Sequence, residues 1–240
     1  MASTWIDNDV IENILWGTFN QFDIEFSKVF ETHPTSQEEL LTGIFVEKLC
    51  EKSKKTQANI QKLLETLKEP WYFSMQYKDM SSTEKKYGAD IAFVLQTSIQ
   101  NKMIRKKVIF VQCKKMKAKP RGRLGFTYYP SWPIDRGQAN DLRRHTSFGY
   151  YLLYGPYGQR ILTRVIPVMS VIGIMDATGR KTTIPLFQTI MSSRSFADFF
   201  LHDFIGCWIG DEEDRTFKMV YGDNQDFSVR YLVDIHISQG

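Results

Sequence analysis

Cysteine is scarce in this chain of 240 residues, with Cys50, Cys113 and Cys207 the complete set. An odd number, widely separated and set in apolar surroundings, excludes a disulfide framework and a structural zinc site, and points to reduced, buried thiols in a cytoplasmic protein. Histidine is scarce too: His33, His145 and His236 have no metal-ligand spacing, and His202-Asp203 lacks the partner histidines of a metal phosphohydrolase. No apolar run is long enough to cross a bilayer, and the first ten residues carry two Asp in place of a basic, apolar leader, so no membrane association is expected. Charge of one sign is not in excess either. With 31 Lys+Arg against 27 Asp+Glu the net charge is +4, too small for the total to announce a partner. A phosphate-binding loop is excluded as well, because Gly179-Arg180-Lys181-Thr182 sits in turn-forming sequence instead of at a strand-to-helix junction.

What the chain does have is 42% apolar and 14% aromatic residues, enough for one substantial core. Ile6, Val10, Ile14, Leu15, Phe19, Phe22 and Phe26 recur at the spacing of one amphipathic helix or two consecutive ones. Thr35 or Ser36 can cap a second helix through Leu49, with Glu38 and Glu39 in its first turn, and a third helix is expected over residues 56–67. The period then becomes alternating, and strands are expected over residues 72–77, 89–95, 107–114 and 150–154, with a polar helix over 138–145. Residues 165–175 and 182–187, joined by Asp176-Ala177-Thr178-Gly179, read as a further hairpin. Helical spacing returns over 194–207, and a last strand is expected over 229–237. No repeat, linker or low-complexity tract interrupts the pattern, so a single α/β domain is the economical reading.

Charge is distributed unevenly. Between Asp90 and Asp135 there is no acidic residue, whereas Lys102, Arg105, Lys106, Lys107, Lys114, Lys115, Lys117, Lys119, Arg121 and Arg123 all fall there. Phe126, Tyr128, Tyr129 and Trp132 follow. Cations succeeded by rings suit a phosphate backbone and base stacking; a solvated hairpin with core-packed rings fits the same residues.

Within this region period two places Phe110, Gln112 and Lys114 on one face of a strand, and Ile109, Val111 and Cys113 on the other. Asp90 opens the preceding strand, so a hairpin can bring its carboxylate to that pair. A carboxylate, a second oxygen ligand and a lysine are what metal-assisted phosphodiester hydrolysis needs: hard oxygens hold Mg²⁺ with waters left on it, and the ammonium orients a water or stabilises phosphoryl charge. Taken singly, Asp90 reads equally as a turn cap, Gln112 as a strand-end hydrogen bonder and Lys114 as one more cation of the run.

Together these residues resemble the PD-(D/E)xK, or restriction-endonuclease-like, nuclease superfamily in its Q-x-K variant, and are similar to small prokaryotic anti-phage defence nucleases. The matching motifs are Glu39-Leu40-Leu41-Thr42, Gly88-Ala89-Asp90, Gln112-Cys113-Lys114, Gln138 with Leu142, and the tyrosine strand 150–154. The resemblance implies a mixed central β-sheet flanked by helices, with residues 1–35 a helical extension, 36–154 the nuclease core and 155–240 a C-terminal hairpin and helix. It implies Asp90 as principal metal ligand, Gln112 and the Cys113 carbonyl as further ligands, Lys114 as catalytic cation and Glu39 as accessory acid, with the neighbouring Glu38 open as the alternative. Mg²⁺ or Mn²⁺ is the implied cofactor. The implied partner is nucleic acid, double-stranded DNA in particular, contacted by Lys102, Arg105, Lys106, Lys115, Lys117, Lys119, Arg121, Arg123 and Gln138; a homo-oligomer and a defence-system sensor protein are further implied partners. Gln112 departs from the commoner acid and removes one negative charge from the site. Two other readings stay open: a catalytically weak nucleic-acid-binding relative of the same fold, and an interaction subunit docking through the ring-rich segment 187–208.

Overall fold

The two N-terminal helical stretches form α1 (Asp9–Thr32) and α2 (Glu38–Leu67) in the computed structural model, which describes residues 9–67, 71–80, 87–100, 102–121, 125–157, 160–206, 208–221 and 227–239. Arg123 and Cys207 lie outside the described residues. The second and third expected helices are one, because residues 50–56 contain neither Gly nor Pro to end the first. Thr56 of that joining segment is buried against α1, its hydroxyl 2.8 Å from that of Thr18.

Strands β1 (Trp71–Asp79), β2 (Tyr87–Ile99) and β3 (Lys102–Lys115) follow. After β3 come the short strands β4 (Ala118–Pro120), β5 (Phe126–Tyr128) and β6 (Ser131–Pro133), then α3 (Arg136–His145), β7 (Gly149–Tyr157) and β8 (Arg160–Pro167). The hairpin expected over 165–187 is not formed. Its first arm is divided between the end of β8 and a helix, α4 (Val168–Thr178), and its second holds only β9 (Thr183–Pro185) before α5 (Leu186–Met191). A short, continuously apolar run carries no period to distinguish strand from helix, and here Val168, Val171, Ile172 and Met175 bury one helical face. Gly179, at φ 66°, ends α4 in the left-handed conformation that glycine adopts without strain. The remaining elements are β10 (Arg194–Ser195), α6 (Phe196–Asp198), a π-helix (Phe199–Ile205), α7 (Asp214–Val220) and β11 (Phe227–Gln239).

Seven strands make one mixed sheet in the order β1-β11-β2-β3-β7-β8-β10. β11 runs parallel to β2, β2 antiparallel to β3, and β3 parallel to β7. The C-terminal third is thus threaded into the sheet and is not appended to it. Helices cover both faces, and this explains why the central strands read as near-continuous apolar runs. On one face Ile91, Phe93, Ile109 and Val111 pack beneath α1, α2 and the π-helix; on the other Ala92, Val94, Val108 and Phe110 meet α3, α4 and α7. The first core is dense in rings: Phe22, Phe26 and Phe196 meet Phe45 edge-on, with centroids 5.0–5.1 Å apart, contacts worth about 0.5–1.5 kcal/mol each beyond area burial. Most rings of segment 187–208 are spent on this packing, since Phe196, Phe199, Phe200 and Phe204 are all buried. Among the described residues no helix is long and apolar enough to cross a membrane.

Candidate active site

The β2–β3 register, with Ile91 opposite Val111, carries Asp90 alongside Gln112 just where the two-strand ladder stops. Beyond that point the Asp90 carboxylate replaces the partner strand. Its Oδ2 accepts the backbone N–H of Cys113 at 2.7 Å and the side-chain amide of Gln112. Gln112 is itself opposite Tyr151 in the parallel β3–β7 pairing, so Asp90, Gln112 and Tyr151 form one row across three strands. Alternation sends the Cys113 side chain to the other face, where its Sγ accepts from the Tyr154 hydroxyl at 3.3 Å and is fully buried.

Lys114 projects from the same strand end, and its Nζ lies 2.8 Å from Oε1 of Glu38. The second oxygen of Glu38 accepts the Lys115 backbone N–H at 3.1 Å. Of the two acids in the first turn of α2, Glu38 is therefore the one brought to this strand end, and the expected Glu39 is not. Successive helical residues are rotated by about 100°, and Glu39 faces β11 instead, pairing with Arg230 at 3.4 Å. Glu38 shares its helix face with Thr42, one turn on, which is buried under the site and donates to the Glu38 carbonyl at 3.0 Å.

Burial pushes the Asp90 carboxyl up to about 6, and the nearby Glu38 charge adds to this; the Cys113 N–H, the Lys114 ammonium and Arg230 oppose it without prevailing. Such a carboxylate is short of positive charge. Both hydrogen bonds it receives fall on Oδ2, which leaves Oδ1 as the oxygen for an incoming ligand. The amide oxygen of Gln112 and the carbonyl of Cys113 are the other hard oxygens at this strand end, the donor type that Mg²⁺ or Mn²⁺ would take, while the Gln112 amide presents its nitrogen to Asp90. Among the described residues no three His, Cys, Asp or Glu side chains gather as a metal group, so an ion here would keep several waters, as Mg²⁺ does. When bound, it would supply Lewis-acid polarisation and a lowered pKa for one of those waters.

The other expected contacts divide. Lys102 and Arg105 are exposed toward the far end of β3, about 40 Å and about 30 Å from Lys114 at ~3.3 Å per residue, and Arg105 lies 3.8 Å from Glu212. Lys106 sits over the rings of Phe217 and Tyr221, 4.6 and 5.1 Å from their centroids. Lys107, in the middle of the basic run, is buried with Nζ donating to the Ile209 carbonyl at 2.6 Å. Lys115 donates to the carbonyls of Pro34 and Ser36 and so ties β3 to the α1–α2 turn. Lys117, Lys119 and Arg121 alone of the described cluster are exposed on the hairpin leaving the site. Gln138 is half-buried in the first turn of α3, its N–H capped by Asp135 at 3.2 Å. It lines a cavity of about 260 Å³ with Gly88, Asp135 and Asp141.

The sequence does not single out Arg230, and it names Tyr151 only within the tyrosine strand 150–154, with no role of its own. The Tyr151 hydroxyl is buried with no hydrogen-bond partner among the described residues, and burial, with the Asp135 and Asp90 charges, raises its pKa and keeps it a neutral phenol. Their places in the site were not readable from the sequence, because nothing there placed β11 beside β2 or β7 beside β3. No family model matches the chain, and neither a curated protein nor a solved structure matches it.

Proposed function

We propose that this chain is a metal-dependent nuclease that hydrolyses phosphodiester bonds of nucleic acid, DNA foremost, as the effector of a prokaryotic anti-phage defence system. The observation that carries the reading is the meeting of Asp90, Gln112 and Lys114 at one end of β2 and β3, with Glu38 across from them. The order α2, β2, antiparallel β3, α3 and parallel β7 supports a restriction-endonuclease-like core, since the motifs of the resemblance lie along those elements in that order. In this reading Asp90 and Gln112 hold the cation, and Lys114 is poised by Glu38 to orient a water or to face charge growing on the phosphoryl oxygens. Nucleic acid and a cytoplasmic location belong to the same proposal.

One observation favours a second reading, a catalytically weak nucleic-acid-binding relative: Gln112 is neutral and its amide is turned toward Asp90. Incubation of purified protein with plasmid, single-stranded DNA and RNA, in Mg²⁺ or Mn²⁺ and then in EDTA, separates the two. The nuclease reading expects metal-dependent cleavage that Asp90→Ala and Lys114→Ala each abolish, the double variant being no worse than either. Full activity in Asp90→Ala would end it. Binding without cleavage in any metal selects the second reading.

A further inference from the structure

The hairpin of β4 and β5 leaves the candidate site directly, Lys117 standing three residues beyond Lys114. Its pairing puts Ala118 opposite Tyr128 and Lys119 opposite Thr127. Tyr128 stacks on Phe30 of α1, centroids 5.9 Å apart, which fixes that face against the core. Alternation then turns Lys117, Lys119 and Arg121 outward, and all three are exposed. Among the described residues none of them has an ion-pair partner, in contrast to Arg105, and none is drawn onto rings or carbonyls as Lys106, Lys107 and Lys115 are. The Tyr129 N–H bonds to the Lys117 carbonyl at 3.1 Å, and the ring stands 51% exposed beside the cations. The next residue, Pro130, accepts the N–H of Leu186 at 2.9 Å, which brings the start of α5 to this end of the hairpin. There Phe187 is 73% exposed.

From these placements we infer that the outer face of the β4–β5 hairpin, with Tyr129 and Phe187, is a binding surface for unpaired nucleic-acid strand and delivers it to Asp90 and Lys114. The inference rests on the nuclease reading for its direction and departs from the duplex that the resemblance implies. Cations at alternate positions meet phosphates of either form. Exposed rings discriminate, because bases within a duplex are stacked on one another and offer no free face, whereas an unpaired base stacks on a side chain for about 1–3 kcal/mol. The stretch between Asp90 and Asp135 itself contributes no acidic residue to repel the backbone; the Glu31 charge on α1 acts on Tyr128, on the inner face of the hairpin.

The test is fluorescence anisotropy in EDTA, where nothing is cut, with one labelled DNA oligonucleotide as a single strand and as its duplex, and with the matching RNA. The wild-type chain is expected to bind the single strand more tightly than the duplex. Tyr129→Ala should weaken single-strand binding roughly tenfold and leave duplex binding unchanged; Phe187→Ala should act in the same direction. Replacing Lys117, Lys119 and Arg121 by Ala should weaken all three probes and flatten the dependence on salt by roughly two units of log–log slope. Circular dichroism and melting temperature check that each variant is folded. Equal or tighter binding of duplex by the wild type, or single-strand affinity unmoved by both ring substitutions, would overturn the inference. Tighter binding of RNA than DNA keeps the surface and changes the sugar it serves. Because binding is read without metal, single-strand binding with no cleavage in Mg²⁺ or Mn²⁺ overturns the nuclease reading alone, and cleavage with ring-independent binding overturns the surface alone.

Discussion

Glu38 spans two consecutive residues of β3: its Oε1 lies 2.8 Å from the Lys114 ammonium and its Oε2 accepts the Lys115 N–H at 3.1 Å. Both partners are more than half buried, so removing the carboxylate leaves a cation and a backbone donor poorly compensated. Glu38→Ala should lower stability by about 1–3 kcal/mol and abolish metal-dependent cleavage. Glu39→Ala removes only an exposed pair with Arg230 and should fall within about 0.5 kcal/mol of wild type. Urea melts and cleavage assays on the two variants side by side decide which acid serves the site.

In the nuclease reading Gln112 offers a metal only a neutral oxygen. Gln112→Glu places a second carboxylate against Asp90, which burial already holds at about 6. Mg²⁺ affinity by calorimetry should rise, since a divalent ion offsets the repulsion between close acids, and stability in EDTA should fall. Gln112→Ala should raise the metal concentration needed for half-maximal cleavage. If neither substitution moves metal dependence, Gln112 is not a ligand.

Tyr151 completes the row begun by Asp90 and Gln112, yet its buried hydroxyl has no partner among the described residues. Tyr151→Phe deletes that hydroxyl and keeps the ring in the core. The melting temperature should hold or rise, by an amount corresponding to roughly 1 kcal/mol. A loss of more than about 1 kcal/mol would show that the hydroxyl is hydrogen-bonded after all, through an ordered water or Asp135.

How much of this was legible beforehand follows from which forces act locally. Strands β2, β3 and β7 were legible because apolar and β-branched residues are dense there, and alternation along β3 put Gln112 and Lys114 on one face. The choice between Glu38 and Glu39 was not, since it turns on about 100° of helix rotation that α2 acquires only by packing. Residues 165–175 were misread because an apolar run this short is the same string in a buried strand and in a buried helix. The density of cations over 102–123 was plain, but their division was not: Lys107 and Arg121 look alike in sequence, and only the fold buries one against Ile209 and leaves the other in solvent.

Asp23 supplies the clearest dependence of stability on pH. It lies on α1 facing β8, held by the Thr163 side chain and backbone, with its Oδ1 buried and unpartnered among the described residues. Burial raises its carboxyl from 3.8 to about 6, against hydrogen bonds from Thr163 and the charge of Arg164. The folded state therefore binds a proton more tightly than the unfolded chain does. Between about pH 4 and about pH 6 the native protein carries more of that proton, so stability falls as pH rises through this window and the loss is complete above it. Asp90 is raised in the same sense, so the wild-type slope alone does not assign the effect to Asp23. The difference between wild type and Asp23→Asn does. The amide cannot ionise and should make the protein more stable at pH 7 by on the order of 1–2 kcal/mol, with the advantage shrinking toward zero near pH 4. Urea melts of both proteins across this range measure it. An advantage that stays constant with pH would mean that Asp23 does not titrate in the window, and that the gain comes from packing.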